Sequence, residues 1–339
     1  MKIALDAMGG DRAPGVIVEG ALEAQKEMGA GASVVLVGKR DLILEHISRL
    51  GGSPSALEVV DARDVVAMDE QPSATLRRKK ESSIAVGLRL VSQGQAQGFI
   101  SAGNTGAVAA NALIILGRIP GVERPAIATC VPTAKGGSIL LDVGASIDPK
   151  PAHLVHYAIM GACYAGSVLG KPNPRVGLLN VGEESTKGRE VMQEAYRLLK
   201  SSGLDFVGNV EGRDIFAGSV DVTVCDGFVG NIVLKFAESV ADMVLGLIRQ
   251  SMTVNLRAKL GAALLRPAFK RLKGTFDYAE YGGAPLLGVD GVCTICHGSS
   301  SARAIKNAVL ATRRHIDYDI TSAIRERLRT SGEASSEAA

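Results

Sequence analysis

The chain contains no tryptophan, and aromatic residues make up only 4% of its 339 positions. Long, purely apolar runs are missing as well. Positions 154–170 hold no Asp, Glu, Lys or Arg, but they include His156, three glycines and several alanines. Because a membrane-spanning helix needs about 20 predominantly apolar residues, this stretch predicts a buried helix rather than a membrane span.

Cysteine and net charge are also low. Five cysteines, an odd number, do not indicate a disulfide framework, and the first residues, MKIALDAMGGD, lack the apolar core of a secretory signal. We therefore expect a protein of the reducing cytosol. The net charge of +3 is too small and too dispersed to favour nucleic acid as a partner.

Several catalytic and cofactor motifs are absent. There is no GxSxG nucleophile elbow and no convincing dinucleotide fingerprint, and Arg40 stands where a phosphate-binding P-loop needs Ser or Thr. Cys293, Cys296 and His297 spell the haem-attachment pattern CxxCH, but the two cysteines lie in an alternating pattern typical of a strand. A zinc site would lack its second pair of ligands. We therefore expect no metal and no cofactor.

Glycine is abundant instead, with 40 residues, and the chain repeats a pattern of strand, polar loop and helix. The clearest case is RVGLLNVGEESTKGRE, residues 175–190, where an apolar run precedes a loop with Glu183 and Lys187. Loops at the carboxyl ends of strands form the binding crevice of open α/β sheets. Lys187 is therefore a candidate ligand for an anionic substrate, although an exposed lysine at a helix start is the simpler interpretation.

Other loops of this kind carry small donors and carboxylates that we predict to bind substrate, with ordinary turns and helix caps as the alternative. Asn231, in the motif DGFVGN, is placed to donate an amide hydrogen bond from a helix N-terminus. The predicted substrate-binding residues are Asp6, Gly9, Gly10 and Asp11 in DAMGGD; Ser101, Asn104, Thr105 and Gly106 in SAGNTG; Asp142 in LLDVGA; Glu183 in the loop before Lys187; Asp226 and Gly227 in DGFVGN; and His297.

A basic and apolar segment follows these motifs. Positions 243–276 hold seven Lys or Arg residues and no carboxylate. Leu256, Leu260 and Leu264 recur at helical spacing, and Pro267 is expected to break the run. We predict a protruding helical hairpin over 245–275, suited to an anionic membrane surface or an acidic protein. A packed helix pair with a basic solvent face is the alternative.

The composition is that of an α/β protein. Its length allows two domains, but a single catalytic domain over 1–330, with or without two subdomains, fits equally well. From Ser331 onward the sequence SGEASSEAA predicts a disordered tail.

The candidate loops offer lysine, amide and carboxylate side chains but no evident protein nucleophile. Such a set suits a reaction in which the substrate supplies the nucleophile. Inorganic phosphate is largely a dianion near neutral pH and can attack a thioester carbonyl directly, so that catalysis consists of positioning and oxyanion stabilisation. Lys187 would hold phosphate or the developing charge, and Asn231 would donate to the thioester oxygen.

The motifs DAMGGD, SAGNTGA, ERPAIA, LLDVGA, GLLNVGEESTKG, GNVEGRDI, DGFVGN and YGGAPLLGV occur in the order and with roughly the spacing of the bacterial phosphate acyltransferase family, PlsX. The resemblance spans residues 1–320. It implies conversion of acyl-acyl carrier protein and inorganic phosphate into acyl phosphate, which feeds a membrane glycerol-3-phosphate acyltransferase in phospholipid synthesis. It also implies a three-layer α/β/α sandwich with a mostly parallel sheet, similar to phosphotransacetylase and isocitrate dehydrogenase.

Further expectations follow from the same resemblance. Lys187 and Asn231 match the family's catalytic pair, and the predicted hairpin serves dimerisation and reversible membrane contact. The chain is then expected to be a cytoplasmic homodimer, associated peripherally with the inner face of the cell membrane. One departure is that Cys293 and Cys296 occupy a strand expected to be aliphatic.

Three alternatives remain open at this point. A short-chain phosphotransacetylase that uses acyl-coenzyme A has no need for an apolar hairpin to shelter its acyl group. A regulator would bind acyl carrier protein without turnover. An oxidoreductase of related fold is disfavoured because the cofactor fingerprint is missing.

Overall fold

The structure is a computed structural model that describes residues 1–29, 31–276 and 282–337, without the side chains of 256, 270–273, 275–276 and 331–337. The described strands form one sheet of eleven in the order β3-β2-β1-β4-β11-β10-β5-β6-β9-β7-β8. They are β1 Lys2–Asp6, β2 Ser33–Gly38, β3 Glu58–Asp61, β4 Gly98–Ser101, β5 Ala126–Thr133, β6 Gly136–Leu141, β7 Val176–Leu179, β8 Phe206–Val210, β9 Val222–Val224, β10 Ala284–Leu287 and β11 Val292–Ile295.

Helices cover both faces of this sheet, which gives the expected three-layer α/β/α arrangement. No helix of the described part of the chain is long and apolar enough to cross a membrane. The helices are α1 Gly15–Met28, α2 Arg40–Arg49, α3 Pro72–Arg78, α4 Ser83–Ser92, α5 Thr105–Ile115, α6 Pro151–Leu169, α7 Glu190–Lys200, α8 Gly212–Ala217, α9 Gly227–Ser251, α10 Leu256–Phe276, α11 Ala302–Asp317 and α12 Ile320–Glu337.

Alternation along the strands divides the core between the two faces. On β1, Ile3 and Leu5 join the cluster beneath α1, α2 and α11, whereas Ala4 joins the cluster beneath α4 and α5. Successive side chains of a strand point to opposite faces, so both faces of β1 are apolar and buried. A third cluster packs α6, α7 and α12 on the other half of the sheet. Strands buried on both faces are typical of parallel sheets covered by helices.

Strand direction separates the sheet into two groups. β1, β2, β3, β4 and β11 are parallel to one another, and β6, β7, β8 and β9 are parallel to one another. Antiparallel pairing of β11 with β10, β10 with β5 and β5 with β6 reverses the direction between the groups. The carboxyl ends of the two groups of strands therefore lie at opposite ends of the strand direction. We call the border of the sheet where β1, β4 and β11 end the first edge, and the border where β6, β7 and β9 end the second edge.

Several predicted elements are confirmed. The uncharged stretch that was predicted to form a buried helix belongs to α6, and its last residue, Gly170, is the C-cap of that helix. β7, the loop after it and α7 follow the predicted strand, loop and helix.

Two local predictions differ from the structure. Pro267 was expected to break the helix, yet α10 continues through it. A proline inside a helix removes one backbone hydrogen bond, and the residues on either side of Pro267 are exposed, so water can satisfy the freed carbonyl. The tail from Ser331 was expected to be disordered, but α12 continues to Glu337, in a stretch whose alanine and glutamate favour helix.

The predicted hairpin is formed by α9 and α10, with its turn between Ser251 and Leu256. Its first arm begins at Gly227, well before position 245. The motif DGFVGN, whose Asp226 caps α9, and the first arm of the hairpin therefore belong to one continuous helix of 25 residues.

A buried histidine connects α6 to α11. The Tyr164 hydroxyl lies 2.9 Å from His315 Nε2, and the two rings meet edge to face with centroids 5.2 Å apart. Burial lowers the pKa of His315 from 6.5 to about 4. The folded protein thus keeps this imidazole neutral at a pH where the unfolded chain protonates it.

We expect the free energy of unfolding to fall as the pH drops from 6.5 toward 4, because the unfolded state then binds the proton and the folded state does not. Each pH unit in this window costs at most about 1.4 kcal/mol. His315→Gln keeps a hydrogen-bonding group without the titration. Urea unfolding at pH 7.5 and pH 5.0 should reveal a smaller acid loss in the variant than in the wild type; equal losses would contradict this assignment.

Candidate active site

The loop between β7 and α7 is held by three amide side chains. Asn180 Nδ2 donates to Lys187 O at 3.1 Å, Asn209 Nδ2 donates to Glu184 O at 2.8 Å, and Gln193 Nε2 donates to Thr186 O at 2.8 Å. The sequence analysis did not identify these amides. Their positions, at the ends of β7 and β8 and at the start of α7, could have indicated that they hold the loop. They fix the backbone that carries Lys187.

Gly188 completes this loop. Its φ of +81° favours glycine, and a Cβ there would stand 2.4 Å from Asn180 Oδ1. The residue after Lys187 therefore has to be small for the loop to close on Asn180.

The Lys187 side chain is about half exposed, and its Nζ lies 4.0 Å from Glu184 Oε1. An exposed pair at this distance contributes little, so the ammonium is available to an anion. Glu183, which was predicted to bind substrate, instead accepts from Arg213 Nη2 at 3.0 Å. Its contact with substrate stays a prediction.

The start of α9 lies beside the Lys187 loop. Asp226 caps α9, with Oδ1 accepting from Val229 N at 2.8 Å, while its Oδ2 accepts from Arg189 Nη2 at 3.3 Å. Arg189 follows Lys187 by two residues and was not identified from the sequence. Its contact with the buried Asp226 brings the elements that carry Lys187 and Asn231 together at the second edge.

Asp142, at the end of β6, shapes the loop on the other side of α9. Its carboxylate accepts from the backbone N–H groups of Ile127, Gly144, Ala145 and Ser146 at 2.7–3.1 Å. Burial raises the pKa of Asp142, and these hydrogen bonds oppose the rise. All these contacts lie within the protein, so substrate binding by Asp142 stays a prediction.

Glycines allow α9 to touch this loop directly. A Cβ at Gly227 would lie 2.6 Å from Asp142 Oδ2, and one at Gly230 would lie 1.9 Å from Asp142 O. On the same side, a Cβ at Gly144 would be in ordinary contact with Asn231, at 3.9 Å. The Asn231 side chain therefore lies beside the loop that Asp142 organises.

A second cluster of predicted residues lies at the first edge. Ser101 Oγ donates to Asp6 Oδ2 at 2.7 Å, and Gly103 N donates to Ser101 Oγ at 3.0 Å. Burial raises the pKa of Asp6, whereas hydrogen bonds from Ser83 and Ser101 lower it. A Cβ at Gly9 would lie 2.6 Å from Gly103 N, so the two loops meet backbone to backbone.

The remaining residues of this cluster connect it to neighbouring loops. Asp11 N donates to Gly298 O at 2.8 Å, and a Cβ at Gly10 would lie 3.1 Å from the same oxygen. The loop after β1 therefore packs against the segment that follows His297. Whether these groups bind substrate stays a prediction.

Asn104 is fully used within the protein. Its Oδ1 caps α5 by accepting from Ala107 N at 3.0 Å, and its Nδ2 donates to Met68 O and Glu70 O, both at 2.9 Å. Thr105 is exposed at the start of α5, and a Cβ at Gly106 would meet Pro72. Asn104 therefore acts as a cap and loop holder here.

His297 lies two residues after the end of β11, at the first edge. Its Nδ1 lies 2.7 Å from Ser299 Oγ and accepts from Ser299 N at 3.2 Å. The preceding cysteines, Cys293 and Cys296, are buried, and burial raises the pKa of each thiol to about 12. Both belong to the core, Cys293 within β11 as predicted and Cys296 just after the end of that strand.

Strand direction decides which candidates lie together. Lys187, Asp142, Asp226 and Asn231 gather at the second edge. Asp6, Ser101, Asn104 and His297 gather at the first edge, because β1, β4 and β11 run opposite to β6, β7 and β9. The local sequence pattern does not give this division, because it does not give the direction of a strand.

The fold is that of phosphotransacetylases. A phosphotransacetylase from Streptococcus pyogenes aligns with a TM-score of 0.64 over 94% of each chain, at 17% sequence identity. At this identity the likeness defines the fold alone.

Sequence relatives narrow the assignment. Residues 1–323 match the fatty acid synthesis protein family. Phosphate acyltransferases from Heliobacterium modesticaldum and Moorella thermoacetica are 52% and 51% identical, over 97% and 96% of this chain and 98% and 95% of theirs. The chain belongs to this family of phosphate acyltransferases, which are enzymes of lipid and fatty acid synthesis.

Gly230→Ala should displace α9, because the new methyl group would collide with the Asp142 carbonyl. We expect a loss of about 1–3 kcal/mol of stability together with lower turnover. Gly246→Ala is the matched control on the same helix, since a Cβ there meets no described atom within 4 Å. It should be neutral or stabilising by up to about 1 kcal/mol. The measurements are the midpoint of urea unfolding and the turnover rate. If both are the same in the two variants, the close contact between Gly230 and the Asp142 carbonyl is contradicted.

Proposed function

We propose that this enzyme transfers a long-chain fatty acyl group from the thioester of acyl-acyl carrier protein to inorganic phosphate. The observation that carries the proposal is the Arg189–Asp226 contact at 3.3 Å, which joins the Lys187 loop to the start of α9. The Lys187 cation and the Asn231 amide donor then lie on two adjoining elements, the loop after β7 and the start of α9. This arrangement suits the binding of a phosphate nucleophile next to a thioester carbonyl.

Lys187 binds phosphate in this proposal, and Asn231 donates to the thioester carbonyl oxygen. A phosphate oxygen attacks the carbonyl carbon, the oxygen takes up negative charge, and the carbon–sulfur bond then breaks to release the thiol and acyl phosphate. Fixed donors aimed at the developing oxyanion are typically the largest contribution to such a reaction. The amides that hold the Lys187 loop keep its ammonium in place before substrate arrives.

The preference for a long acyl chain is inferred from the α9–α10 hairpin. Leu260 and Leu264 are 63% and 84% exposed. An apolar groove of about 470 Å³ lies between the helices, lined by Val244, Leu247, Met252 and Leu265 among others. An alkyl chain would bury this surface. Leu256 begins α10, but its side chain lies outside the described residues.

The carrier protein and the membrane are proposed as partners of the same hairpin. Arg257, Lys259 and Arg266 add positive charge to α10, which suits an acidic carrier protein or anionic lipid. We further propose a homodimer that associates peripherally with the inner face of the cell membrane. There it would pass acyl phosphate to a membrane glycerol-3-phosphate acyltransferase for phospholipid synthesis.

Lys187→Ala should reduce phosphate-dependent release of free carrier protein from palmitoyl-acyl carrier protein by about 10²–10³-fold, because a fixed charge donor is lost. Lys187→Arg should retain part of the rate. Lys200→Ala, an exposed lysine at the far end of α7, is the control and should behave as wild type. Release that is independent of phosphate, or unchanged in Lys187→Ala, would overturn the proposal.

A second candidate is transfer from acyl-coenzyme A, favoured by the phosphotransacetylase fold. Parallel assays with acetyl-coenzyme A, palmitoyl-coenzyme A and palmitoyl-acyl carrier protein separate the two donors. Carrier binding without any phosphate-dependent release would indicate a regulator instead.

Replacing Leu260 and Leu264 by Glu should lower binding to vesicles of anionic phospholipid, because charge then replaces exposed apolar surface. Leu50→Glu is the control, since Leu50 is also exposed but lies at the end of α2. Sedimentation with the vesicles measures the bound fraction. If both variants bind the vesicles as well as the wild type does, the proposed membrane contact of the hairpin is wrong.

A further inference from the structure

A polar cavity of about 210 Å³ lies at the amino ends of β6, β7 and β9. The β5–β6 turn, the segment between α6 and β7, and the turn between α8 and β9 form its walls. The candidate active site lies at the carboxyl ends of the same strands. Because the extended chain from Asp221 to Asp226 spans about 16 Å, the cavity is separate from the start of α9.

Three cations and one carboxylate line this cavity. Lys135 belongs to the β5–β6 turn, Lys171 and Arg175 to the segment before β7, and Asp221 directly precedes β9. Three positive charges and one negative charge leave the lining with a formal charge of +2. A cleft lined mainly by one sign of charge concentrates the electrostatic potential and attracts ions of the opposite sign.

Asp221 fixes one wall of the cavity. Its Oδ2 accepts from Arg175 N at 2.9 Å, and its Oδ1 lies 3.4 Å from Lys171 Nζ. In return, Asp221 N and Val222 N donate to Arg175 O at 2.9 and 3.0 Å. The backbone of Arg175 is therefore held in place before any ligand binds, which lowers the entropic cost of binding.

The other two charged groups lack such a partner. In the part of the chain that the structure describes, neither the Arg175 guanidinium nor the Lys135 ammonium has a hydrogen-bond or ion-pair partner. A Cβ at Gly218 would lie 2.7 Å from Thr133 Oγ1 and 3.2 Å from Lys135 Cβ, so the turn before β9 packs against the Lys135 turn. Unpaired cations at one cavity repel each other, and a bound anion would remove this repulsion.

We propose that this cavity is a second anion site, which binds a phosphate monoester group. The Arg175 guanidinium presents paired N–H donors that match phosphate oxygens, and the ammonium groups of Lys135 and Lys171 add two further charged donors. Pockets for drug-sized ligands span about 300–1,000 Å³, so a cavity of about 210 Å³ suits a small phosphorylated group. This inference does not depend on the proposed acyl transfer.

The binding test uses glycerol 3-phosphate, a soluble phosphate monoester, at low ionic strength. The full chain carries Lys187→Ala to weaken phosphate binding at the candidate active site, and calorimetric titration should then detect one site per chain. Adding Lys135→Gln and Arg175→Gln should weaken binding at least about tenfold, because two charged hydrogen bonds are lost. Adding Lys26→Gln and Arg78→Gln is the matched control, since these two exposed cations lie outside the cavity. Its affinity should stay within about threefold.

The same chemical group can also be presented by a lipid. Sedimentation with vesicles of phosphatidylcholine, with and without phosphatidic acid, measures binding to this second source. A gain from phosphatidic acid that is lost in the Lys135→Gln, Arg175→Gln chain but kept in the control would identify a lipid headgroup as the ligand. If this double variant binds both glycerol 3-phosphate and phosphatidic acid vesicles as the control does, the proposed site is wrong.

Activity separates this site from the proposed chemistry. With Lys187 intact, the chain carrying Lys135→Gln and Arg175→Gln should retain phosphate-dependent release of carrier protein within about threefold of wild type. Loss of release with an unchanged circular dichroism spectrum would place these residues in the reaction, and the assignment of a separate site would be overturned. Absence of phosphate-dependent release in the wild type would instead overturn the proposed function and leave the binding result unaffected.

Discussion

The start of α9 is held so tightly against the loop after β6 that two of its positions have room only for hydrogen atoms. A side chain at Gly230 would overlap the carbonyl of Asp142, and one at Gly227 would overlap its carboxylate. Asp142 in turn uses its oxygens to gather the backbone of that loop. Because the Lys187 loop is attached to the same helix start through Arg189 and Asp226, the positions of Lys187 and Asn231 both depend on this one contact.

From that fixed start, α9 runs for 25 residues and ends in an exposed hairpin with α10. Val233 and Leu234 of this helix pack against the core, whereas Ile232, Phe236 and Leu247 are exposed. Exposed apolar surface of this kind is unfavourable for a monomer in water, and it is consistent with the proposed binding of an apolar acyl chain or membrane surface.

Local pattern was a good guide wherever neighbours in sequence decide the structure. The strand, loop and helix around Lys187 and the buried helix α6 were predicted because apolar periodicity and turn residues act over a few positions. The same local reasoning failed at Pro267, where exposure of the helix lowers the penalty of a missing hydrogen bond. It could not give the direction of the strands, because an apolar strand has the same periodicity whichever way it runs, and direction is set by pairing with distant strands.

The sequence by itself determined the α/β class, the family and the identity of Lys187 and Asn231 as candidates, because motifs and periodicity are written along the chain. Only the tertiary structure decided how those residues are used. It assigned Asn104 to a cap and Asp142 to a loop, placed Asn180, Asn209 and Gln193 around the Lys187 loop, and brought Arg189 into contact with Asp226, 37 positions later in the chain. Such contacts depend on strand order and direction, which arise from packing among distant segments and leave no signal in any short stretch of sequence.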